Sequence, residues 1–245
     1  MNSKNNNITR ICLWSGPRNI STALMYSFAQ REDTLVFDEP LYGYYLKNTK
    51  AKEYHPGAKD ILDSLDNNGE NVVNKMMHED RKPVLFFKNM THHLLDLNRD
   101  FMKNVVNVIL TRHPKEMIPS FAKVITNPTI QDIGYADHSN LLDFFEKEAI
   151  TPIVLDSTKL LLNPENTLRK LCEKSQIQFY DSMLQWQAGA RPEDGIWAKY
   201  WYDNVHKSTG FSKYKPKTEP FPEYLKLLLQ ECLPHYNRLL PYAIG

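Results

Sequence analysis

The sequence predicts an α/β domain, a three-layer sandwich with a mostly parallel central sheet and helices on both faces. Three observations carry this. Short apolar runs of strand type alternate along the chain with segments of helical periodicity. The runs are compact and apolar, which fits strands covered on both sides. The chain has 245 residues, 42% of them hydrophobic, the size of one domain with a sizeable core. We therefore expect a single domain over residues 1–245.

The elements follow in order. Ile8 to Trp14 is an apolar run that ends at Ser15-Gly16-Pro17, a strand closed by a turn. Ser21 to Gln30 reads as a helix, with Leu24, Met25 and Phe28 on one face. Thr34 to Phe37 is a short strand, and the aromatic Leu41 to Leu46 starts a helix. Residues 47–81 are polar with weak helical periodicity, a helical excursion on the surface. Val84 to Lys88 is a buried strand. Val105 to Thr111, rich in β-branched residues, is the strongest strand signal. Helices follow at Pro114 to Thr126 and Leu141 to Ala149, a strand at Pro152 to Leu155, and a helix at Asn163 to Ser175 opened by Pro164. Trp186 to Phe211 is aromatic and irregular. Pro220 to Tyr236 carries a leucine-rich helix.

Composition narrows the function. A net charge of +1 gives no global reason to bind nucleic acid or an anionic membrane, so an anion site must be a local cluster of cations and amides. Cys12, Cys172 and Cys232 are too far apart for a metal pattern or a disulfide framework. Residues 2–7 are polar, and no apolar run has the length of a signal peptide or the ~18 residues of a membrane helix. These features predict a soluble, cytoplasmic protein.

The chemistry begins after the first strand. In open parallel sheets, ligands bind beyond the carboxyl ends of the strands. There the chain reads Ser15-Gly16-Pro17-Arg18-Asn19-Ile20-Ser21-Thr22. A helix that starts directly after a tight loop offers unpartnered N–H groups and a dipole, both favourable to an anion. Arg18 adds a planar fork suited to a tetrahedral oxyanion, and Ser21 and Thr22 add hydroxyls. The alternative is a plain turn capped by Asn19. The Gly-Lys-Ser/Thr core of the Walker loop is absent, which argues against a triphosphatase.

The same logic recurs downstream. Arg112 follows the strongest strand, and Ser120 lies eight residues on, within reach of the same anion. An ion pair for Arg112 and a solvated Ser120 are the alternatives. Pro119 bends that helix. Lys88, His92 and His93 follow the third strand. A neutral histidine suits a general base, and no third ligand at metal spacing accompanies the pair. Asp38 and Glu39 close the second strand, either facing the first loop or serving as caps.

Together these positions resemble the sulfotransferase superfamily that uses 3′-phosphoadenosine 5′-phosphosulfate, whose fold is P-loop-like. Gly16 to Thr22 resembles its Tyr-Pro-Lys-Ser-Gly-Thr-Thr loop, with Arg18 in place of lysine and Ile20 in place of glycine. A β-branched residue tolerates positive φ poorly. The resemblance implies that Arg18, Asn19, Ile20, Ser21 and Thr22 hold the 5′-phosphosulfate. It implies that Arg112 and Ser120, matching in identity and spacing, hold the 3′-phosphate. Leu155 to Leu160 resembles the family's Tyr-Glu-Asp-Leu segment, and Lys207 to Phe211 its late Arg-Lys-Gly loop, with Lys207 on the 3′-phosphate. Glu39-Pro40-Leu41-Tyr42 is similar to the Glu-Pro element of carbohydrate sulfotransferases, which implies Glu39 as base. Cytosolic members use a histidine two residues after a lysine. Met90 stands there, which leaves His92 as the substitute. The chain also resembles sulfotransferase-like proteins labelled branched-chain aminotransferase-like, although no pyridoxal phosphate lysine with its supporting motif is visible.

The expected activity is sulfuryl transfer from this donor to a hydroxyl or amine of a small molecule or carbohydrate, without a metal. Glu39 or His92 serves as base, and Arg18 stabilises charge. Two other classes are a kinase-type phosphotransferase, with Asp156 as its metal carboxylate, and a non-catalytic nucleotide-binding protein. The aromatic stretch Trp197, Tyr200, Trp201 and Tyr202 lines an acceptor pocket or fills core.

Overall fold

The computed structural model describes residues 8–245, which leaves the polar start outside the described residues. Its strands are β1 (Thr9–Ser15), β2 (Thr34–Asp38), β3 (Val84–Met90), β4 (Val106–Thr111), β5 (Ile153–Asp156) and β6 (Ala243–Ile244). They form one sheet in the order β2-β3-β1-β4-β5-β6, every pair parallel. The helices are α1 (Ser21–Phe28), α2 (Tyr42–Asn48), α3 (Ala58–Ser64), α4 (Gly69–His78), α5 (Pro114–Phe121) and α6 (Ile130–Ile133). After these come α7 (Tyr135–Lys147), α8 (Ser157–Leu162), α9 (Pro164–Lys174), α10 (Ala198–Trp201), α11 (Asp203–His206) and α12 (Lys226–Leu239).

Successive strand residues point to opposite faces, and both faces are buried here. Ile11, Leu13, Phe86, Leu110 and Leu155 pack with Leu24 and Phe28 of α1 and Leu168 and Leu171 of α9. Cys12, Trp14, Phe87, Ile109 and Val154 pack with Met76 of α4 and Leu141 and Phe145 of α7. This is the predicted sandwich, and it explains why the strands read as unbroken apolar runs. Where a polar side chain enters this core it is matched: Trp14 Nε1 donates to Asn107 Oδ1 at 3.1 Å.

Several boundaries differ from the sequence expectation. Helix α5 ends at Phe121 instead of Thr126, with Pro119 inside it. Helix α7 begins at Tyr135, six residues before Leu141, because the buried face of its first turns carries His138 and Ser139. The segment 47–81 resolves into a short 3-10 turn, α3 and α4, and it buries Ala51, Ile61, Val72 and Met76. Strand β6 has two residues and no local signature; it exists through its pairing with Val154 and Leu155. The three cysteines are buried and unpaired. Among the described residues, no helix is long and apolar enough to cross a membrane.

The topology fixes where a ligand sits. β1 is central, with β3 on one side and β4 on the other. The chain passes from β1 through α1 to the far edge at β2, returns to β3, then crosses β1 to β4. The strand order reverses beside β1, so a crevice opens at its carboxyl end.

Candidate active site

That crevice is a cavity of about 450 Å³, within the range of small-ligand sites. The loop after β1 forms its floor. Arg18 and Ile20 both hold positive φ, at 57° and 62°. Ile20, in place of the expected Asn19, is the N-cap of α1, and among the described residues no side chain caps that helix. The amides of the first turn therefore lack side-chain partners. Left-handed backbone costs a β-branched residue on the order of 1–3 kcal/mol. The loop bears this because it is over-determined. Asn19, 1% exposed, donates from Nδ2 to the Leu110 carbonyl at 3.2 Å. Ser157 Oγ lies 2.9 Å from the carbonyls of both Asn19 and Thr111. Ile20 packs against the core beside α1. Gly16 admits the close approach, since a Cβ there would lie 2.8 Å from the Ile133 carbonyl. The substitution of isoleucine for glycine thus leaves the turn in its left-handed form.

Of the expected residues, Arg18, Asn19, Ile20, Ser21, Thr22, Glu39, His92, Arg112 and Ser120 all line this cavity. At one end Arg18 Nε donates to Ser120 Oγ at 3.1 Å, and Arg112 Nη1 donates to the Arg18 carbonyl at 3.0 Å. The two anion sites expected from the sequence are therefore one continuous patch, joined by Arg18. Burial, and then the neighbouring Arg112, hold Arg18 below its ordinary pKa. Arg112 also pairs with Glu116 at 3.2 Å, the ion pair named as its alternative. Lys217 Nζ reaches this end on the Glu116 carbonyl at 2.8 Å, and Lys213 and Lys215 of the same stretch without regular structure also line the cavity. Lys207 stands apart. Its Nζ pairs with Asp203 Oδ1 at 2.7 Å and it is not among the cavity residues, because an i, i+4 pair along α11 takes it to the surface.

The other end holds a sealed ion cluster. Lys88 Nζ contacts Asp38 Oδ1 at 2.7 Å, Glu39 Oε1 at 2.5 Å and Tyr202 OH at 2.7 Å. Asp38 Oδ2 accepts from the Gly195 amide at 3.0 Å, and Trp197 Nε1 donates to Tyr202 OH at 3.2 Å. Neither carboxylate caps a helix. Glu39 sits at φ 42°, held by its own amide on the Lys88 carbonyl at 2.7 Å. Burial raises the Glu39 pKa, Lys88 opposes, Asp38 adds to the rise, and the net direction is up. Burial works against the charge on Lys88, but the two carboxylates outweigh it and hold Lys88 above its ordinary value.

His92 is different. Burial, with His55 beside it, pulls it down to about 3, so it is a neutral and weak base. Its Nδ1 finds no partner among the described residues. His93 lies between Tyr42 and Tyr45, ring centroids at 4.9 and 4.6 Å. Trp197, Trp201 and Tyr202 line the cavity, whereas Tyr200 is partly exposed and packs over Gly57. Among the described residues no group of three or more metal-ligating side chains is arranged to hold an ion. Asp156 caps α8 through the amides of Thr158 and Lys159 and accepts from Tyr236 OH at 3.0 Å, so its oxygens are already engaged.

The sequence left the ends of this network unjoined. Asp38, Lys88 and Tyr202 are far apart in the chain. The one local signal was Lys88 itself, a charge at the end of a buried strand that demands a partner. Lys213, Lys215 and Lys217 carried no motif.

Comparison with known proteins identifies the fold and the family. Two curated relatives from Arabidopsis thaliana, branched-chain-amino-acid aminotransferase-like proteins 2 and 1, are 39% identical over 228 residues and 41% over 230. Each alignment covers 92% of this chain and 40% of the relative, so the chain spans about two fifths of their length. The sulfotransferase domain of the Synechococcus PCC 7002 olefin synthase superposes with a TM-score of 0.58 at 16% identity, over 94% of this chain and 96% of that one. The sulfotransferase from Alicyclobacillus acidocaldarius gives 0.55 at 10% identity, over 97% of both chains. At such identities these structures establish the fold alone. The model of the family described as Sulfotransferase domain matches residues 9–243, nearly the whole chain, and the protein belongs to that family.

Proposed function

We propose that the protein moves a sulfuryl group from 3′-phosphoadenosine 5′-phosphosulfate to a hydroxyl or amine of a small molecule or carbohydrate. One observation carries the reading: a single cavity joins a cationic patch at one end to a buried carboxylate of raised proton affinity at the other. The donor is anionic at both its 5′ and 3′ positions. Arg18, Arg112, Ser120 and the first-turn amides of α1 are donors suited to both groups. An anion between Arg18 and Arg112 also relieves the repulsion that adds to burial in depressing Arg18.

The donor supplies the sulfuryl group and a phosphate leaving group. The chain supplies position and charge. Glu39 accepts the acceptor's proton. Its raised pKa makes it a stronger base than an ordinary carboxylate, and the Lys88 contact fixes its direction. Arg18 and the α1 amides stabilise the charge that develops on the leaving oxygen. His92 lies too low in pKa to compete as base. Trp197, Trp201 and Tyr202 wall the acceptor side.

Calorimetry with 3′,5′-bisphosphoadenosine against ATP with magnesium tests the nucleotide. Tighter binding of the bisphosphate is expected, and preference for magnesium ATP sinks the reading. Arg18→Ala is expected to lower transfer by roughly two orders of magnitude, as for other oxyanion donors. Unchanged transfer in that variant removes Arg18 from the chemistry. Binding of the bisphosphate without transfer to any acceptor favours a non-catalytic member.

A further inference from the structure

Glu116 is the residue at the cationic end that the reaction does not need. It lies one turn after Arg112, on the first turn of α5. Its Oε2 accepts from Arg112 Nε at 3.3 Å and Nη2 at 3.2 Å. Its Oε1 accepts from Tyr214 OH at 2.5 Å, and its carbonyl accepts from Lys217 Nζ at 2.8 Å. One acidic residue thus takes two N–H groups of the arginine fork and ties down the irregular strap that carries Lys213, Tyr214, Lys215 and Lys217. One carboxylate oxygen shared by two guanidinium N–H groups is a bifurcated contact, and it leaves unmade the two parallel N–H···O bonds that a phosphate, with its several oxygens, forms at the same fork.

We propose that Glu116 is an internal surrogate anion on Arg112, and that the donor's 3′-phosphate must displace it and so release Tyr214 of the strap. This rests on the donor reading above and adds a specificity-determining residue to it. Only an anion that outcompetes an intramolecular carboxylate gains the Arg112 fork. A ligand phosphorylated at the 5′ position alone has no group to offer there and leaves the strap in place. Like charge also gathers at this fork: after burial, Arg112 and Lys123 hold Lys217 below its ordinary value, so an incoming anion relieves repulsion there.

The test compares binding of 3′,5′-bisphosphoadenosine and adenosine 5′-monophosphate to the full chain and to two variants. Glu116→Gln keeps the shape and removes the charge. It is expected to tighten the bisphosphate about tenfold, the size of one partly buried charge contact, and to leave the monophosphate within about twofold. Tyr214→Phe alters no charge but loosens the latch, and is expected to tighten the bisphosphate by a smaller factor. Equal tightening of both nucleotides by Glu116→Gln marks a general charge effect and overturns the proposal. So does bisphosphate affinity that is unchanged or weaker in Glu116→Gln, or unchanged in Tyr214→Phe. Failure of the bisphosphate to bind the wild-type chain overturns instead the donor reading on which the proposal stands.

Discussion

At the base end of the cavity, Lys88 makes three contacts between 2.5 and 2.7 Å and its side chain is 1% exposed. At the donor end, Arg112 makes contacts of 3.0 to 3.3 Å and its side chain is 18% exposed. Both ends hold a cation against carboxylates, yet the two are built for different tasks. The sealed cluster cannot exchange a partner without stranding a charge in low dielectric. The less sealed patch can trade Glu116 for a ligand oxygen, because an incoming anion takes the carboxylate's place on the same cation and leaves no charge unpaired there. One end is preorganised and the other is exchangeable, as the proposed function requires of a fixed base and a nucleotide that comes and goes.

Breaking the sealed end should have the largest effect. Lys88→Met leaves Asp38 and Glu39 buried without their cation, at an expected cost of about 3–5 kcal/mol. Chemical denaturation at neutral pH reads this. The deficit should shrink in acid, where Glu39, whose pKa burial already raises, protonates. An equal deficit at all pH values contradicts an electrostatic origin.

Glu39→Gln separates chemistry from stability at the same end. Transfer is expected to fall by about 10²–10⁴-fold, with the bisphosphate still bound. In the wild type, kcat should decline as pH falls through the raised pKa of Glu39, so its acid limb lies above the ordinary carboxylate value of about 4.3. The variant should lack that limb. Full activity in Glu39→Gln transfers the role to His92.

A smaller effect measures how well the base end excludes protons. Buried His92 is held at about 3 in the fold, against about 6.5 in an unfolded chain. Between these values the unfolded state binds a proton that the native state does not. Its contribution is therefore complete above about pH 6.5 and is lost as pH falls toward about 3, by up to ~1.4 kcal/mol per pH unit. His92→Asn should reduce the pH slope of stability by about one proton in that window. An unaltered slope shows that His92 titrates freely.

Lys207→Ala should do least. Its charge pairs with Asp203 on the surface, so bisphosphate affinity and melting midpoint are expected to be unchanged. A clear loss of affinity brings Lys207 back to the donor end and blurs the boundary of the exchangeable patch.

Much of the cavity's floor was legible because it is local. A strand, a tight loop and a helix start occupy consecutive residues from Thr9 to Phe28, and the Arg112 and Ser120 spacing lies within one strand-to-helix step. Period and turn chemistry suffice there. Lys207 could not be told from Lys213, Lys215 and Lys217, since an aperiodic stretch gives no rule for which lysine turns inward. Glu116 gave no signal, as acidic residues are ordinary in a helix's first turn.

By itself, then, the sequence determined the α/β sandwich, the alternation of its layers, and the strand, tight loop and helix start that lead from β1 into α1, because each follows from the spacing of neighbouring residues. Tertiary structure alone decided that Ile20 could hold a left-handed backbone, since distant anchors at Leu110 and Ser157 support it. It alone decided that Arg18 meets both Ser120 and Arg112, that Lys88 meets Asp38, Glu39 and Tyr202, and that Glu116 sits on Arg112. Those contacts depend on the order of strands in the sheet, and charges placed by topology find partners that no local pattern encodes.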